Sequence, residues 1–198
     1  MRKVLVAYTT KSGSTGEVAQ AIGEELQRNG ALVDVRLIRD VRDVLTYDAV
    51  IVGGPMIMGW HREAVKFLVE NQQTLSQKPV ACFLTAMSMT RTDEEELGAT
   101  TIFQDPALAK PPKNPGKLSF REKYATASNY LTPVLKRAPA IKPVSAGFFA
   151  GKLDYGRLNP LDWLFVRLII GAAGGDFRNW DAIRAWVRGV IPLLGVSA

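Results

Sequence analysis

The sequence has one cysteine and one histidine in 198 residues. A lone thiol forms no disulfide within the chain and builds no cysteine metal site. Cys82 lies inside the apolar run Val80-Ala81-Cys82-Phe83-Leu84, which marks it as a small core residue and not a nucleophile. No acid/base dyad or metal-ligand cluster is visible, and no metal is expected. No apolar run approaches the ~20 residues needed to span a bilayer. No signal-peptide pattern opens the chain, since Met1-Arg2-Lys3 leads straight into a strand-like run; the cytoplasm is the expected location. Internal repeats and low-complexity tracts are absent. Two common phosphate loops are also missing. Lys11 precedes its glycine instead of ending a Gly-x-x-x-x-Gly-Lys-Ser/Thr loop, and without Gly-x-Gly-x-x-Gly a dinucleotide site is not expected.

What is present suits one globular domain over residues 1–198, with 47% hydrophobic residues to fill a core. The net charge of +6 is unevenly spread: residues 109–142 carry eight basic side chains (Lys110, Lys113, Lys117, Arg121, Lys123, Lys136, Arg137, Lys142) and one acidic. That segment is either a solvated helix-and-loop face or a surface for anionic lipid, an anionic substrate or an acidic partner. It lacks an aromatic-interleaved basic sheet or a recognition helix, so nucleic acid is not an expected partner.

Strand and helix patterns alternate. Lys3–Tyr8, Ala31–Leu37, Tyr47–Gly54, Pro79–Thr85 and Val144–Ala150 read as strands. Glu17–Asn29, Arg62–Leu75, Phe120–Lys136 and Asp181–Leu194 read as helices, and Arg39–Thr46 as a short polar helix or loop. The stretch 89–118, rich in proline and charge, is too long for an ordinary connection; it reads as an inserted loop with one short helical piece. A second insertion covers 151–175. Alternating strands and helices imply βαβ crossovers and a doubly wound, five-stranded parallel sheet of order 2-1-3-4-5. In that order the ligand sits at the carboxyl ends of strands 1 and 3.

Three loops meet there. The first, Thr10-Lys11-Ser12-Gly13-Ser14-Thr15, lies between a strand and a helix N-terminus. Its four hydroxyls can donate to phosphate oxygens, Gly13 allows a tight turn, and the helix dipole favours an anion. The second, Pro55-Met56-Ile57-Met58-Gly59-Trp60, follows a glycine pair and offers apolar and aromatic surface to a planar ring. Trp60 is either a stacking residue or a packing residue. His61 is either a proton donor beside the ligand or a helix-starting residue facing solvent. The third loop, Thr85-Ala86-Met87-Ser88, can meet a polar ring edge through its backbone and hydroxyls.

The first loop resembles the one that holds the FMN phosphate in flavodoxins. The wider chain is similar to the flavodoxin-like, menaquinone-dependent protoporphyrinogen dehydrogenases of bacteria. Gly53 to His61 resembles that family's Gly-Ala-Ser-Ile-x-x-Gly-x-x-His stretch. Gly147 to Asp154, entering a hydrophobic helix that bears Asp162 and Arg167, and the closing turn Gly174-Gly175-Asp176 carry the likeness further. Gly54 and Pro55 depart from the motif, and residues 89–118 are extra sequence. The resemblance implies FMN as cofactor and an oxidoreductase that oxidises an organic substrate, protoporphyrinogen IX being the family's, and passes electrons to a quinone. It implies a lid-like helix around Leu161–Ile170, with Arg167 (and, more weakly placed, His61) as a catalytic candidate. That helix and the basic segment suggest peripheral contact with the cytoplasmic membrane face. The alternative is a flavodoxin-type electron shuttle that docks on a redox partner protein, against which the basic balance counts; a binding module without flavin is a further reading.

Overall fold

The computed structural model describes residues 1–56, 59–114, 116–153, 156 and 174–196. The central sheet is built from β1 (Lys3–Tyr8), β2 (Leu32–Leu37), β3 (Ala49–Pro55), β4 (Val80–Ala86), β6 (Glu96–Leu97), β7 (Thr100–Gln104) and β9 (Ser145–Ala150). Two-residue strands β5 (Met89–Thr90), β8 (Ala109–Lys110), β10 (Lys152–Leu153) and β11 (Gly175–Asp176) form two small pairs outside it. Sheet order is β2-β1-β3-β4-β9-β7-β6, parallel throughout except for β6.

The expected order of the first five strands is present, with β9 in the fifth place. The expectation of five strands is corrected to seven. The segment 89–118 is not a loop with a helical piece: Thr100–Gln104 joins β9 in parallel, and Gly98, at φ +63, turns the chain from β6 into β7. The alternation of β-branched and apolar residues in Thr100-Thr101-Ile102-Phe103 favours that strand.

Strands β1, β3, β4 and β9 are covered on both faces, which explains their near-continuous apolar runs. On one face Val4, Val6, Ile51, Phe83 and Phe149 meet α1 (Ser14–Arg28) and α5 (Trp180–Val190) through Val18, Ile22, Leu26, Ile183 and Trp186. On the other, Leu5, Val50, Val52, Leu84 and Phe148 meet α2 (Arg62–Leu75) and α4 (Ala127–Arg137) through Val65, Leu68, Leu131 and Val134. Cys82 is fully buried, and burial pushes its thiol up to about 12, so it is the inert core residue expected.

The single helix expected over Phe120–Lys136 is two: α3 (Phe120–Tyr124) and α4. Ser119 and Glu122 form a capping box on α3, and Thr126 caps α4 through the Asn129 N–H, so a second helix start falls where one continuous helix is expected. The closing helix ends at Val190 because Pro192 cannot continue it; Pro192–Leu194 forms a 3-10 turn. Arg39–Thr46 yields only the 3-10 turn Ile38–Asp40.

Candidate functional site

The first loop leaves β1 and enters α1 through Gly13, whose φ of +93 lies in the left-handed region that favours glycine. The Thr10 hydroxyl oxygen accepts the Gly13 N–H at 2.9 Å, which fixes the turn and leaves the hydroxyl hydrogen to donate. No side chain caps α1. The Gly13 carbonyl accepts from Gly16 and Glu17, while the amides of Ser14 and Thr15, and the Ser14 hydroxyl, have no partner among the described residues. Uncapped amides and a free hydroxyl at the positive end of a 15-residue helix form a cradle for a phosphate. Lys11 and Ser12 sit in the same turn.

Thr85 ties the three loops together. Its hydroxyl shares a buried 2.9 Å hydrogen bond with that of Thr15, and its carbonyl accepts the Met56 N–H at 2.8 Å. Ala86 accepts the Gly151 N–H, and Ser88 accepts the Tyr130 hydroxyl. Met87 is half-buried and Ser88 exposed. In the second loop Met56 and Trp60 form an antiparallel bridge, with Gly59 at φ +117 between them. Ile57 and Met58 lie outside the described residues, as does Arg167.

Trp60 is 6% exposed and belongs to the core under α2. A Cβ on Gly54 would lie 2.9 Å from the Trp60 Nε1 and 2.9 Å from the Thr9 Cγ2. The departure from alanine at this position therefore makes room for the indole. Its N–H is buried with no hydrogen-bond partner among the described residues. An orphaned donor beside the ring loops, together with the uncapped cradle at Ser14 and Thr15, fits a ligand that brings both an anionic group and polar ring edges.

His61 does not stand free. Its Nδ1 lies 3.1 Å from the Thr9 hydroxyl, which donates to Glu63 Oε2 at 3.0 Å. A carboxylate only accepts, and the hydroxyl has one hydrogen to give, so the imidazole hydrogen sits on Nδ1 and the lone pair on Nε2. Thr9 and Glu63 escaped the sequence reading; Thr9 directly precedes the phosphate-type loop, which was the available signal. These residues, with Thr10, Lys11 and Arg39, line a cavity of about 240 Å³. A larger groove of about 420 Å³ between Ile38–Val44 and α2 holds no residue of the three loops; its rim of Arg39, Arg42, Asp43, Lys66 and Glu70 is charge-mixed and does not suit a flat apolar ring.

Behind the first loop, Arg178 donates to Glu17 in the first turn of α1 at 2.8 Å and to Asp176, and lies over the Trp180 ring. The Arg178 guanidinium holds the Asp176 carboxyl below its usual range. The turn Gly174-Gly175-Asp176 is thereby fastened to α1, and β10 pairs with β11 across the second insertion. Among the described residues no cluster of His, Cys, Asp and Glu could hold a metal ion, and no helix is long and apolar enough to cross a membrane.

An open, doubly wound sheet with an uncapped helix N-terminus at the β1/β3 switch point places this chain among the α/β proteins, whose general ligand position is the crevice at the carboxyl ends of the strands. The sequence pattern of the flavodoxin domain matches residues 5–179, and the chain belongs to that family. It is 20% identical over 201 aligned positions to the protoporphyrinogen IX dehydrogenase [quinone] of Escherichia coli K12, covering 96% of each chain. Two solved flavodoxins share the fold. One is a short-chain flavodoxin associated with a PDU bacterial microcompartment, with TM-score 0.53, 13% identity, 98% of this chain and 99% of that one covered. The other is the flavodoxin of Streptococcus pneumoniae TIGR4, with TM-score 0.51, 13% identity, and 96% and 99% covered.

Proposed function

We propose that this protein binds FMN and acts as a quinone-linked oxidoreductase on an organic substrate. The observation that carries the FMN reading is the uncapped N-terminus of α1 behind a loop of four hydroxyls at the β1/β3 switch point. Thr10, Ser12, Ser14 and Thr15, with Lys11 and the Ser14 and Thr15 amides, would hold the phosphate. Pro55 to Trp60 would flank one side of the ring, and Thr85 to Ser88 its polar edge. Bound FMN would supply the two-electron exchange between substrate and quinone. The chain's own residues bind, orient and exclude water. His61, kept in one tautomer by Thr9 and Glu63, would accept a proton at Nε2; Arg167 would pair with a substrate anion. The quinone reading, with protoporphyrinogen IX as first substrate to try, is supported by the E. coli relative, whose match covers 96% of this chain.

The test is the visible spectrum of the purified protein, with chromatography of what denaturation releases. Bands near ~375 and ~450 nm and released FMN are expected of a flavin site. Thr10→Ala should weaken FMN by roughly 1–2 kcal/mol, read by fluorescence titration. Failure to take up added FMN would overturn the reading. Substrate-driven bleaching followed by quinone turnover would then separate an enzyme from an electron shuttle.

A further inference from the structure

Arg178 belongs to none of the three loops, yet one of its bonds reaches the helix on which the phosphate cradle sits. Its Nη1 donates to Glu17 Oε2 at 2.8 Å, and its Nε donates to Asp176 Oδ1 at 2.7 Å. Its Cζ lies 4.6 Å from the centre of the Trp180 ring. The side chain is 4% exposed, against 56% for Glu17 and 41% for Asp176. A cation covered to that degree is held by its acids and by the ring. Glu17 is the fourth residue of α1, after Ser14, Thr15 and Gly16. Side chains on a helix lean toward its N-terminus, so the Glu17 carboxylate belongs to the same turn as the Ser14 and Thr15 amides. A carboxylate there suits the helix dipole by itself, but it repels a phosphate dianion.

We infer that Arg178 is a positioning residue that cancels the charge of Glu17 and so sets the cradle's preference for a flavin with a phosphate over one without, an assignment that rests on the FMN reading. Its bonds also fasten the turn Gly174-Gly175-Asp176, and the partners separate the two tasks. Asp176 lies two residues from Arg178, so that bond serves the turn; Glu17 lies 161 residues away, on the cradle's own helix. Asp176 has a second cation at hand, because Lys152 stands opposite it in the β10/β11 pair. Glu17 has an ion pair with Arg178 alone among the described residues. Removing the guanidinium therefore leaves Glu17 as an uncompensated charge on the turn that would meet the phosphate, while Asp176 keeps Lys152 across from it. Beyond Lys152, the Leu161–Ile170 stretch expected to form a lid lies outside the described residues.

The experiment is fluorescence titration of the full chain with FMN and, separately, with riboflavin, which has the same ring and no phosphate. Arg178→Gln should weaken FMN roughly tenfold, the size expected for one charge at a helix end, and leave riboflavin unchanged. Adding Glu17→Gln to that variant should restore FMN to within about threefold of the unaltered chain. Glu17→Gln alone should tighten FMN severalfold, because Arg178 then faces the phosphate without its acid. Glu17 is more than half exposed, so this variant folds whatever Arg178→Gln does. Asp176→Asn should leave the ratio of FMN to riboflavin affinity unchanged, because the pair with Glu17 survives it. Equal losses of FMN and riboflavin in Arg178→Gln would make Arg178 a structural anchor and overturn the inference. So would a double variant as weak as Arg178→Gln, a Glu17→Gln variant with unchanged FMN affinity, or an Asp176→Asn variant that matches Arg178→Gln. Any of these, with FMN taken up by the unaltered chain, sinks this assignment alone; no uptake by the unaltered chain sinks the FMN reading with it.

Discussion

At the scale of single residues, Thr85 does more than its place in a ring-edge loop suggests. One side chain and one carbonyl link the loop after β1, the loop after β3 and the end of β4. Replacing it with the isosteric valine removes the hydroxyl and keeps the volume. The buried Thr15 hydroxyl then loses its partner, so Thr85→Val should cost about 1–2 kcal/mol in urea unfolding. It should also weaken FMN, although Thr85 need not touch the phosphate. Unchanged flavin affinity would mean that the two loops hold their positions independently. The hydroxyl loop was legible in the sequence because strand, loop and helix start are adjacent in the chain. The Thr9–His61–Glu63 chain was not, because its members come from two elements more than fifty residues apart and carry no local spacing.

At the scale of elements, helices with a strongly one-sided apolar face were legible: α2 runs over Arg62–Leu75 as expected. The break between α3 and α4 is also written in the sequence, at Thr126, whose side chain accepts the Asn129 N–H, and the start of α3 is set by the Ser119–Glu122 capping box. That box sets a pH dependence. The Lys113 amide first, then the Ser119 hydroxyl and amide, draw the Glu122 carboxyl down from its ordinary value to about 2. A carboxyl depressed in the folded state adds stability above its unfolded pKa of about 4.3 and loses it as pH falls toward the folded value. The bonds from the Lys113 and Ser119 N–H groups to Glu122 should therefore hold at neutral pH and loosen between about pH 4 and 2. An NMR titration of the Glu122 side chain checks this; a midpoint near that of a free glutamate would remove the box as its cause.

At the scale of the molecule, strands buried on both faces declared themselves as apolar runs, and the switch-point site followed from their order. Strand β7 did not, because its short run of mixed burial finds its partner in β9, more than forty residues later. The junction is held by Asp105, fully buried, which accepts the N–H groups of Ala107 and Ala150 and the Asn179 side chain. It joins β7, β9 and the start of α5. Asp105→Ala removes the acceptor of the buried Ala150 N–H and of two part-buried donors and should cost about 3 kcal/mol, measured by denaturant unfolding. A loss below half of that would show that the extra strands are held mainly by their ladder. The same arrangement governs how the chain leaves the ribosome. Strands β4 and β7 are complete well before β9 is made, yet β9 lies between them. Until it is synthesised both present bare edges with a gap that only residues 145–150 fill, so a chain arrested before that point is the species most prone to stick to its neighbours.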